Sequence, residues 1–286
     1  MEGANSEKFK AGKALPSIVA LACGKYENGT IKAIGTGFGV GPSIIDENTT
    51  LLATCTHVAE EIFRVSNIKE YEGKSEGLID NRIRAALFED GKYLWKEISV
   101  DQIDAKESAD DLGFSEIHDA CILRVSGIKI PSLHFFKGSL NLGDDHISYE
   151  MGSEVMIVGY PIFNEFPTNF IMPYILKTII SSSMAYFFNR SGKKYPSPRL
   201  ALGCIVGGGF SGSPVISIED GSVVGMIDYT PFETSEIDIK FNKPSPIEGN
   251  VRLEYPAGIT FAIPSMIIKR SLDFTLDWER NSKSSK

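Results

Sequence analysis

Three short motifs carry the side chains of this sequence that could perform nucleophilic chemistry. His57 stands in TCTHVAE, Asp119 opens DACILRV, and Ser211 lies in the glycine-rich segment GGGFSGSP. A serine hydroxyl is a weak nucleophile that needs an adjacent base, and a neutral imidazole can act as that base near neutral pH. A buried carboxylate fixes the tautomer of the imidazole and stabilises the imidazolium. The three motifs together therefore predict hydrolysis through a Ser-His-Asp triad.

The glycines before Ser211 predict a second feature of such a site. Glycine adopts backbone conformations that are sterically unfavourable for other residues. The N–H groups of a glycine-rich turn can therefore converge on a developing oxyanion. We expect the amides of Gly209 and Ser211 to form this oxyanion hole. Taken singly, His57 could be a structural histidine, Asp119 a strand cap and Ser211 an ordinary turn serine. Their occurrence together favours catalysis.

The elements that must position these residues are predicted to be mostly β-strands. Short apolar runs rich in β-branched and aromatic residues alternate with turns that contain glycine or proline. Helical patterns occur directly after His57 and from Pro264 to Trp278. Many short strands at close spacing indicate barrels or a sandwich. Polar loops are expected at 101–116, 189–198 and 231–250.

Composition excludes several classes of protein. The chain has 286 residues, of which 42% are hydrophobic and 23% charged, as in a globular protein with one large domain or two packed together. A net charge of −8 argues against nucleic acid or an anionic membrane as the main partner.

The spacing of the four cysteines fits no zinc site, so we expect buried thiols, no metal and no cofactor. The polar first residues and the lack of a membrane-length apolar run favour a cytoplasmic location.

The sequence resembles the chymotrypsin-like (trypsin-fold) serine peptidases, and most closely the protease domain of the bacterial HtrA/Deg proteins. The resemblance is carried by the three motifs above, by GSEVMIVGYP at 152–161 and by GITFAIP at 258–264. It implies an all-β fold of two six-stranded antiparallel β-barrels with a C-terminal helix. His57 and Asp119 would come from the first barrel and Ser211 from the second, across the cleft between them.

Two departures from the family pattern have consequences. Phe210 replaces the Asn or Asp that the family carries before its serine. Phe210 cannot form an ion pair with a new N-terminus, so activation by that zymogen route is expected to be absent. HtrA proteins usually carry a C-terminal PDZ domain, and none is expected here after the closing helix.

The resemblance and the turn-rich composition of the middle of the chain predict its domain organisation. We expect a disordered N-terminus, a first barrel, a linker, a second barrel with the closing helix, and a disordered tail. These segments are predicted at 1–14, 15–128, 129–150, 151–278 and 279–286.

Four residues are candidates for substrate binding under this resemblance. Ile205 corresponds to the base of the primary pocket, and the strand that contains Ile227, Asp228 and Thr230 corresponds to a wall that binds the substrate backbone. Alternation directs Ile227 to the pocket and Asp228 to the triad, and the other position open to Asp228 is the solvent-exposed rim. No acid is placed to bind arginine or lysine, so the pocket is expected to accept aliphatic or aromatic side chains.

The sequence thus predicts an intracellular serine endopeptidase of narrow specificity that acts on proteins or peptides, in stress, defence or signalling. An activating protein partner is compatible with this function. The alternative is a latent trypsin-fold binding module that keeps the triad and acts through a protein partner. The two differ in whether Ser211 reacts with a reagent for active-site serines.

Overall fold

A computed structural model describes most of the chain and provides the fold. The described residues are 10–26, 31–66, 78–89, 91–102, 118–135, 150–162, 172–190, 193–239, 249–256 and 258–284. They begin with two short 3₁₀ turns, at Ala11–Lys13 and Leu15–Ser17. Among them, no helix is both long and apolar enough to cross a membrane.

The first group of strands forms an antiparallel sheet with one helix. Its elements are β1 (Ile18–Tyr26), β2 (Ile31–Pro42), β3 (Thr49–Cys55), α1 (Thr56–Ser66), β4 (Leu78–Glu89), β5 (Lys92–Glu97), β6 (Ser99–Gln102) and β7 (Ala120–Ser126). The strand order is β5-β4-β1-β2-β3-β7-β6. Ile98 alone separates β5 from β6, and its N–H donates to the carbonyl of Ile83, 3.1 Å away. Strands β5 and β6 are therefore two halves of one bent strand, and they form the two ends of the sheet. This division gives seven described strands where six were expected.

The second group of strands forms a closed barrel. Its elements are β8 (Glu154–Gly159), β9 (Tyr174–Arg190), β10 (Lys193–Leu202), β11 (Pro214–Ser217), β12 (Val223–Tyr229), β13 (Phe232–Ile239), β14 (Gly249–Pro256), β15 (Thr260–Pro264) and α2 (Ser265–Ser284). Six of these strands close in the order β10-β15-β12-β11-β8-β9, and β13 pairs with β14 in a separate hairpin. The predicted fold class, chymotrypsin-like β-barrels with a C-terminal helix, is confirmed.

The hydrophobic core joins the two groups of strands. One cluster of buried apolar residues runs from β1, β3 and β7 through Val158 and Met226 of the second barrel to Ile268 of α2. A smaller cluster, including Val215 and Leu200, fills the second barrel. The shared cluster excludes water between the barrels and stabilises their mutual position. The site described below lies where the two barrels meet.

Several segments differ from the expected loops and termini. Strand β13 lies within the stretch expected as a polar loop at 231–250, β14 begins at the end of that stretch, and β10 covers most of 189–198. Backbone pairing stabilises these strands although their sequences are polar. Helix α2 continues to Ser284, past the expected start of the tail at 279. Glu279 explains this extension, since it is fully buried and bonded to Ser43.

The expected linker and N-terminus are only partly described. Ile130 and Leu133, at the start of the linker, are buried in the core, and Ala14 is buried beside β1. The remaining expected linker at 136–149, the first residues at 1–9 and the last at 285–286 lie outside the described residues. The same holds for most of the loop expected at 101–116.

Candidate active site

Strand pairing brings His57 and Asp119 together. Strands β3 and β7 pair with Cys55 opposite Ala120, so the residues just after β3 meet those just before β7. The N–H of His57 donates to Oδ1 of Asp119 at 3.0 Å, and Nδ1 of His57 lies 2.6 Å from Oδ2. Asp119 has φ of +56°, the left-handed region that aspartate tolerates better than most residues. This conformation lets both carboxylate oxygens face the same histidine.

The pair has the electrostatics of a base and its orienting acid. Burial alone would lower the pKa of His57, but the hydrogen bond and charge of Asp119 outweigh it, so the pKa is raised. Burial alone would raise the pKa of Asp119, yet the bonds and charge of His57 leave it lowered. Asp119 is therefore ionised at neutral pH. Nδ1 of His57 donates to Asp119, which leaves Nε2 to accept a proton. The side chain of His57 is 49% exposed to solvent, so a reactant can reach it.

Ser211 lies in a turn that two glycines make possible. Gly209 has φ of +90° and Gly212 has φ of +86°, where side chains are strained. A Cβ on Gly209 would lie 2.3 Å from the carbonyl oxygen of Tyr160, and one on Gly212 would lie 2.0 Å from that of Thr36. Both positions thus need glycine for backbone conformation and for space. They project Ser211 from the turn before β11.

The first barrel holds this turn through Thr36 of β2. Its N–H donates to the carbonyl of Ser211 at 2.9 Å, and its hydroxyl donates to the carbonyl of Gly209 at 2.8 Å. The same hydroxyl accepts from the N–H of Tyr160 at 3.1 Å. Thr36 therefore fixes two carbonyl groups of the turn from across the cleft. In the described part of the chain, the N–H groups of Gly209 and Ser211 donate to no other backbone group.

The Ser211 hydroxyl is bonded to β12 rather than to His57. It donates to the backbone carbonyl of Asp228 at 3.0 Å. Among the described residues, no hydrogen bond joins Ser211 directly to His57. Catalytic hydrogen bonds are often long or poorly aligned without substrate, so this arrangement is compatible with a base at His57.

Asp228 faces the His57–Asp119 pair with its carboxyl group and not the solvent. Asp228 is 6% exposed. One carboxylate oxygen each of Asp119 and Asp228, a ring nitrogen of His57 and Sγ of Cys55 all lie within 4.8 Å of one another. The alternative position at the solvent rim is therefore wrong. The Oδ2 atom of Asp228 accepts from Nε of Arg199 at 2.6 Å, and the binding of substrate by the backbone of this strand stays a prediction.

The other three substrate-binding candidates do not line one common pocket with their side chains. Ile205 is 51% exposed, whereas Ile227 is buried in the core of the second barrel. Thr230 is buried, and its hydroxyl donates to the carbonyl of Val206 at 3.1 Å and lies 3.0 Å from the hydroxyl of Thr260. Strand β12 is irregular after Ile227, so simple alternation does not fix which side chain lines the cleft.

The side chains of Cys55, His57, Asp119 and Asp228 each offer an atom of a type that can bind a metal ion. All four residues already make hydrogen bonds, since His57 and Asp119 are bonded to each other, Asp228 is bonded to Arg199, and the Cys55 thiol donates to the carbonyl of Ile227 at 3.1 Å. Burial raises the pKa of Cys55 well above its ordinary value, so it is a thiol at neutral pH. The hydrogen bonds of the cluster account for its geometry.

Sequence patterns did not identify Thr36, Ser197 or Arg199 as parts of the site. Arg199 is a single cation beside an apolar run, and Ser197 bonds both Arg199 and Nδ1 of His118. A cation in an apolar strand signals a buried partner, but the partner comes from another strand. His118, expected at the surface or in the linker, is half-buried by this contact.

Comparison with known proteins agrees with this fold. A family model described as a trypsin-like peptidase domain matches residues 35–226. Because this match covers more than half of the sequence, the chain belongs to the trypsin-like peptidase family. The protein is accordingly a serine endopeptidase by class. No curated protein matches its sequence.

Solved structures with a similar chain trace include three proteases. Rv3671c from M. tuberculosis H37Rv, as a serine-to-alanine mutant in the inactive form, is 16% identical with a TM-score of 0.53, over 96% of this chain and 93% of its own. The MamO protease domain from Magnetospirillum magneticum is 14% identical with a TM-score of 0.47, over 90% and 96%. Neuropsin, a serine protease of mouse brain, is 11% identical with a TM-score of 0.48, over 96% and 98%. The similarity to Rv3671c shows the shared fold.

Proposed function

We propose that this protein cleaves peptide bonds through an acyl-enzyme formed on Ser211, with His57 as general base and Asp119 as its orienting acid. One observation carries the proposal. Asp119 binds His57 through both carboxylate oxygens, while Ser211 is bonded to the carbonyl of Asp228, whose own carboxyl lies within 4.8 Å of the pair. The nucleophile and the base therefore flank the same residue.

The proposed reaction follows from these contacts. The Ser211 oxygen attacks the carbonyl carbon of the substrate, and its proton passes to Nε2 of His57. The N–H groups of Gly209 and Ser211 stabilise the oxyanion that forms. Collapse of this intermediate expels the amine, which takes the proton from His57. Water, activated in the same way, then releases the acyl group and restores Ser211.

We also propose that the enzyme prefers apolar side chains next to the cleaved bond. The carboxyl of Asp228 is bound by Arg199 and is not available to a basic substrate. Ile205 presents an exposed apolar side chain at the expected pocket, and the hydroxyl of Thr230 is already bonded to the opposite wall. An unpaired arginine or lysine of the substrate would lose hydration without compensation there.

Digestion of a defined peptide mixture tests the proposed function. The wild type should cleave peptides after apolar residues, as read by mass spectrometry, and Ser211→Ala should cleave none. Ser213→Ala is the matched control, because its buried hydroxyl has no hydrogen-bond partner among the described residues. Cleavage that survives Ser211→Ala would refute the assignment. A folded wild type that neither cleaves nor reacts with a phosphonylating reagent would support the latent binding module instead.

A further inference from the structure

Arg199 of β10 connects the second barrel to the residues that hold the base. Its side chain is almost fully buried. Nε donates to Oδ2 of Asp228 at 2.6 Å, Nη1 to the hydroxyl of Ser197 at 2.5 Å, and Nη2 to the carbonyl of His118 at 3.2 Å. His118 directly precedes Asp119. The guanidinium thus binds both the carboxyl that faces Asp119 and the backbone beside it.

The two carboxyl groups of Asp119 and Asp228 cannot both be ionised at low cost. Carboxylates this close repel each other, and a shared proton removes the repulsion. Burial, the charge of Asp119 and a hydrogen bond between the two carboxyls raise the pKa of Asp228 to about 7, although Arg199 opposes the rise. Arg199 occupies Oδ2 of Asp228, so the other oxygen is available to carry the proton.

We propose that Asp228 and Arg199 are positioning residues for the general base, in which protonated Asp228 donates to the Asp119 carboxylate while Arg199 binds Asp228 and the backbone of His118. The inference rests on the proposed function, because it concerns how the His57–Asp119 pair is held. Asp119 then accepts two hydrogen bonds from His57 and one from Asp228. Turnover requires no transfer of the Asp228 proton, because the proton of Ser211 passes to His57.

The consequence is a second ionisation that affects the base. When Asp228 loses its proton, a further negative charge stands beside His57. This charge stabilises the imidazolium, and it is among the causes that raise the pKa of His57. The free base then becomes available only at higher pH. Asp228 therefore affects how catalysis depends on pH as well as the position of Asp119.

Other titratable and charged groups also face this cluster. They are Cys55 of β3, Glu60 of α1, His118 and Asp119 before β7, Arg199 of β10, and Arg270 of α2 through its charge on His118. Burial, with Arg199 and Arg270, lowers the pKa of His118 to about 4, so it is neutral near pH 7. Burial keeps Cys55 protonated. Asp228 is thus the group beside His57 whose raised pKa lies near neutral pH.

Asp228→Asn separates the hydrogen bonds of Asp228 from its charge. The amide oxygen can accept from Arg199 and the amide nitrogen can donate to Asp119, but the group cannot ionise. We expect the rise of kcat/KM with pH to move to lower pH, and the plateau of kcat/KM to fall less than it does in Asp228→Ala. Asp228→Ala keeps neither bond and leaves Arg199 without this partner, so kcat should fall more than about tenfold.

Unfolding measurements give a readout that does not need activity. A carboxyl whose pKa is raised in the folded state binds its proton more tightly there than in the unfolded chain. The protonated Asp228 carboxyl therefore contributes to the free energy of unfolding. This contribution is complete below the ordinary carboxyl pKa of about 4, and it is lost as pH rises through the raised pKa of the folded state. The free energy of unfolding of Asp228→Asn, relative to wild type, should therefore increase from about pH 4 to about pH 7 and then level off.

Asp80→Asn is the matched control for the loss of a carboxyl bound to a buried arginine. Asp80 binds Arg84 at 2.7 Å in the first sheet, outside the cluster, and its pKa is lowered by that contact. This variant should leave the pH profile of kcat/KM unchanged. A wild-type profile in Asp228→Asn, or an unfolding difference that is constant from about pH 4 to about pH 8, would overturn the inference. Cleavage would still depend on Ser211 in that case, so the proposed function would stand.

Discussion

The hydroxyl of Ser211 donates to the backbone carbonyl of Asp228 at 3.0 Å. The acceptor is a main-chain atom, so substitutions of the Asp228 side chain keep this contact available. The hydroxyl must leave that carbonyl before its proton can pass to Nε2 of His57. Effects of Asp228 variants on catalysis therefore report on the two carboxyl groups rather than on the resting position of the nucleophile.

The first prediction concerns the pH dependence set by His57. His57 must be neutral to accept a proton, and its pKa is raised by Asp119 despite burial. We expect kcat/KM to rise with pH through an ionisation above the ordinary histidine value of about 6.5 and then to level off. His57→Ala should lower kcat by roughly 10³-fold or more. Initial rates across a pH series with chemistry rate-limiting measure both effects.

A profile that is flat from about pH 5 to about pH 9 would contradict the role of His57 as base. Asp119→Asn is a further check, because it removes the charge that raises the pKa of His57. Its kinetic pKa should move down and its kcat should fall.

The second prediction tests the turn that carries Ser211. In Gly212→Ala the new Cβ would lie 2.0 Å from the carbonyl oxygen of Thr36 and 2.5 Å from the Thr54 hydroxyl, at φ of +86°. We expect a clear loss of thermal stability and of reaction at Ser211. Gly208→Ala is the control, since nothing lies within 4 Å of its added Cβ and its φ is not in the left-handed region. Its melting temperature and reactivity should stay close to wild type, and equal effects of the two changes would contradict this account of the turn.

The third prediction concerns the closing helix. Glu279 of α2 accepts from the hydroxyl of Ser43 at 2.5 Å and the N–H of Ile44 at 2.6 Å, and it pairs with Arg124 at 3.2 Å. Glu279→Ala leaves Arg124 without this buried partner and should lower the free energy of unfolding by about 3–5 kcal/mol. Chemical denaturation monitored by tryptophan fluorescence measures the loss.

An exposed pair on the same helix provides the comparison for Glu279. Asp277 binds Arg280 at the surface, with both side chains more than half exposed. Asp277→Ala should cost less than about 1 kcal/mol. If the Glu279 variant were as stable as the Asp277 variant, the buried network would not anchor α2 to the first sheet.

The strands next to the catalytic motifs could be predicted from sequence because their cause is local. The apolar run before His57 and the run after Asp119 both read as buried strands, and they pair as β3 and β7. Glycines at 209 and 212 indicated a turn before a strand, and both have positive φ. In these segments hydrophobic pattern and turn chemistry agree with the tertiary fold.

Other features depended on partners that are distant in the sequence. Strand β5 has no fully buried residue, and the hairpin of β13 and β14 is polar, so neither has a strong hydrophobic pattern. Ile98 stands between β5, which pairs with β4, and β6, which pairs with β7 at the other end of the sheet. The Arg199–Asp228 pair depends on the register of β10, β15 and β12 in the closed barrel. Sequence periodicity indicates which face of a strand is buried, but it does not identify the residue that lies opposite on a strand distant in the sequence.

The most direct test of the account is to identify the residue that a fluorophosphonate probe labels. Wild-type protein should acquire one probe adduct, and tandem mass spectrometry of the digest should place it on Ser211, since an activated serine attacks phosphorus as it attacks a carbonyl. Ser211→Ala should remain unlabelled, and His57→Ala should label far more slowly, with folded circular dichroism spectra in both. An adduct on another residue, or equal labelling of Ser211→Ala and wild type, would contradict the claim that Ser211 is the nucleophile.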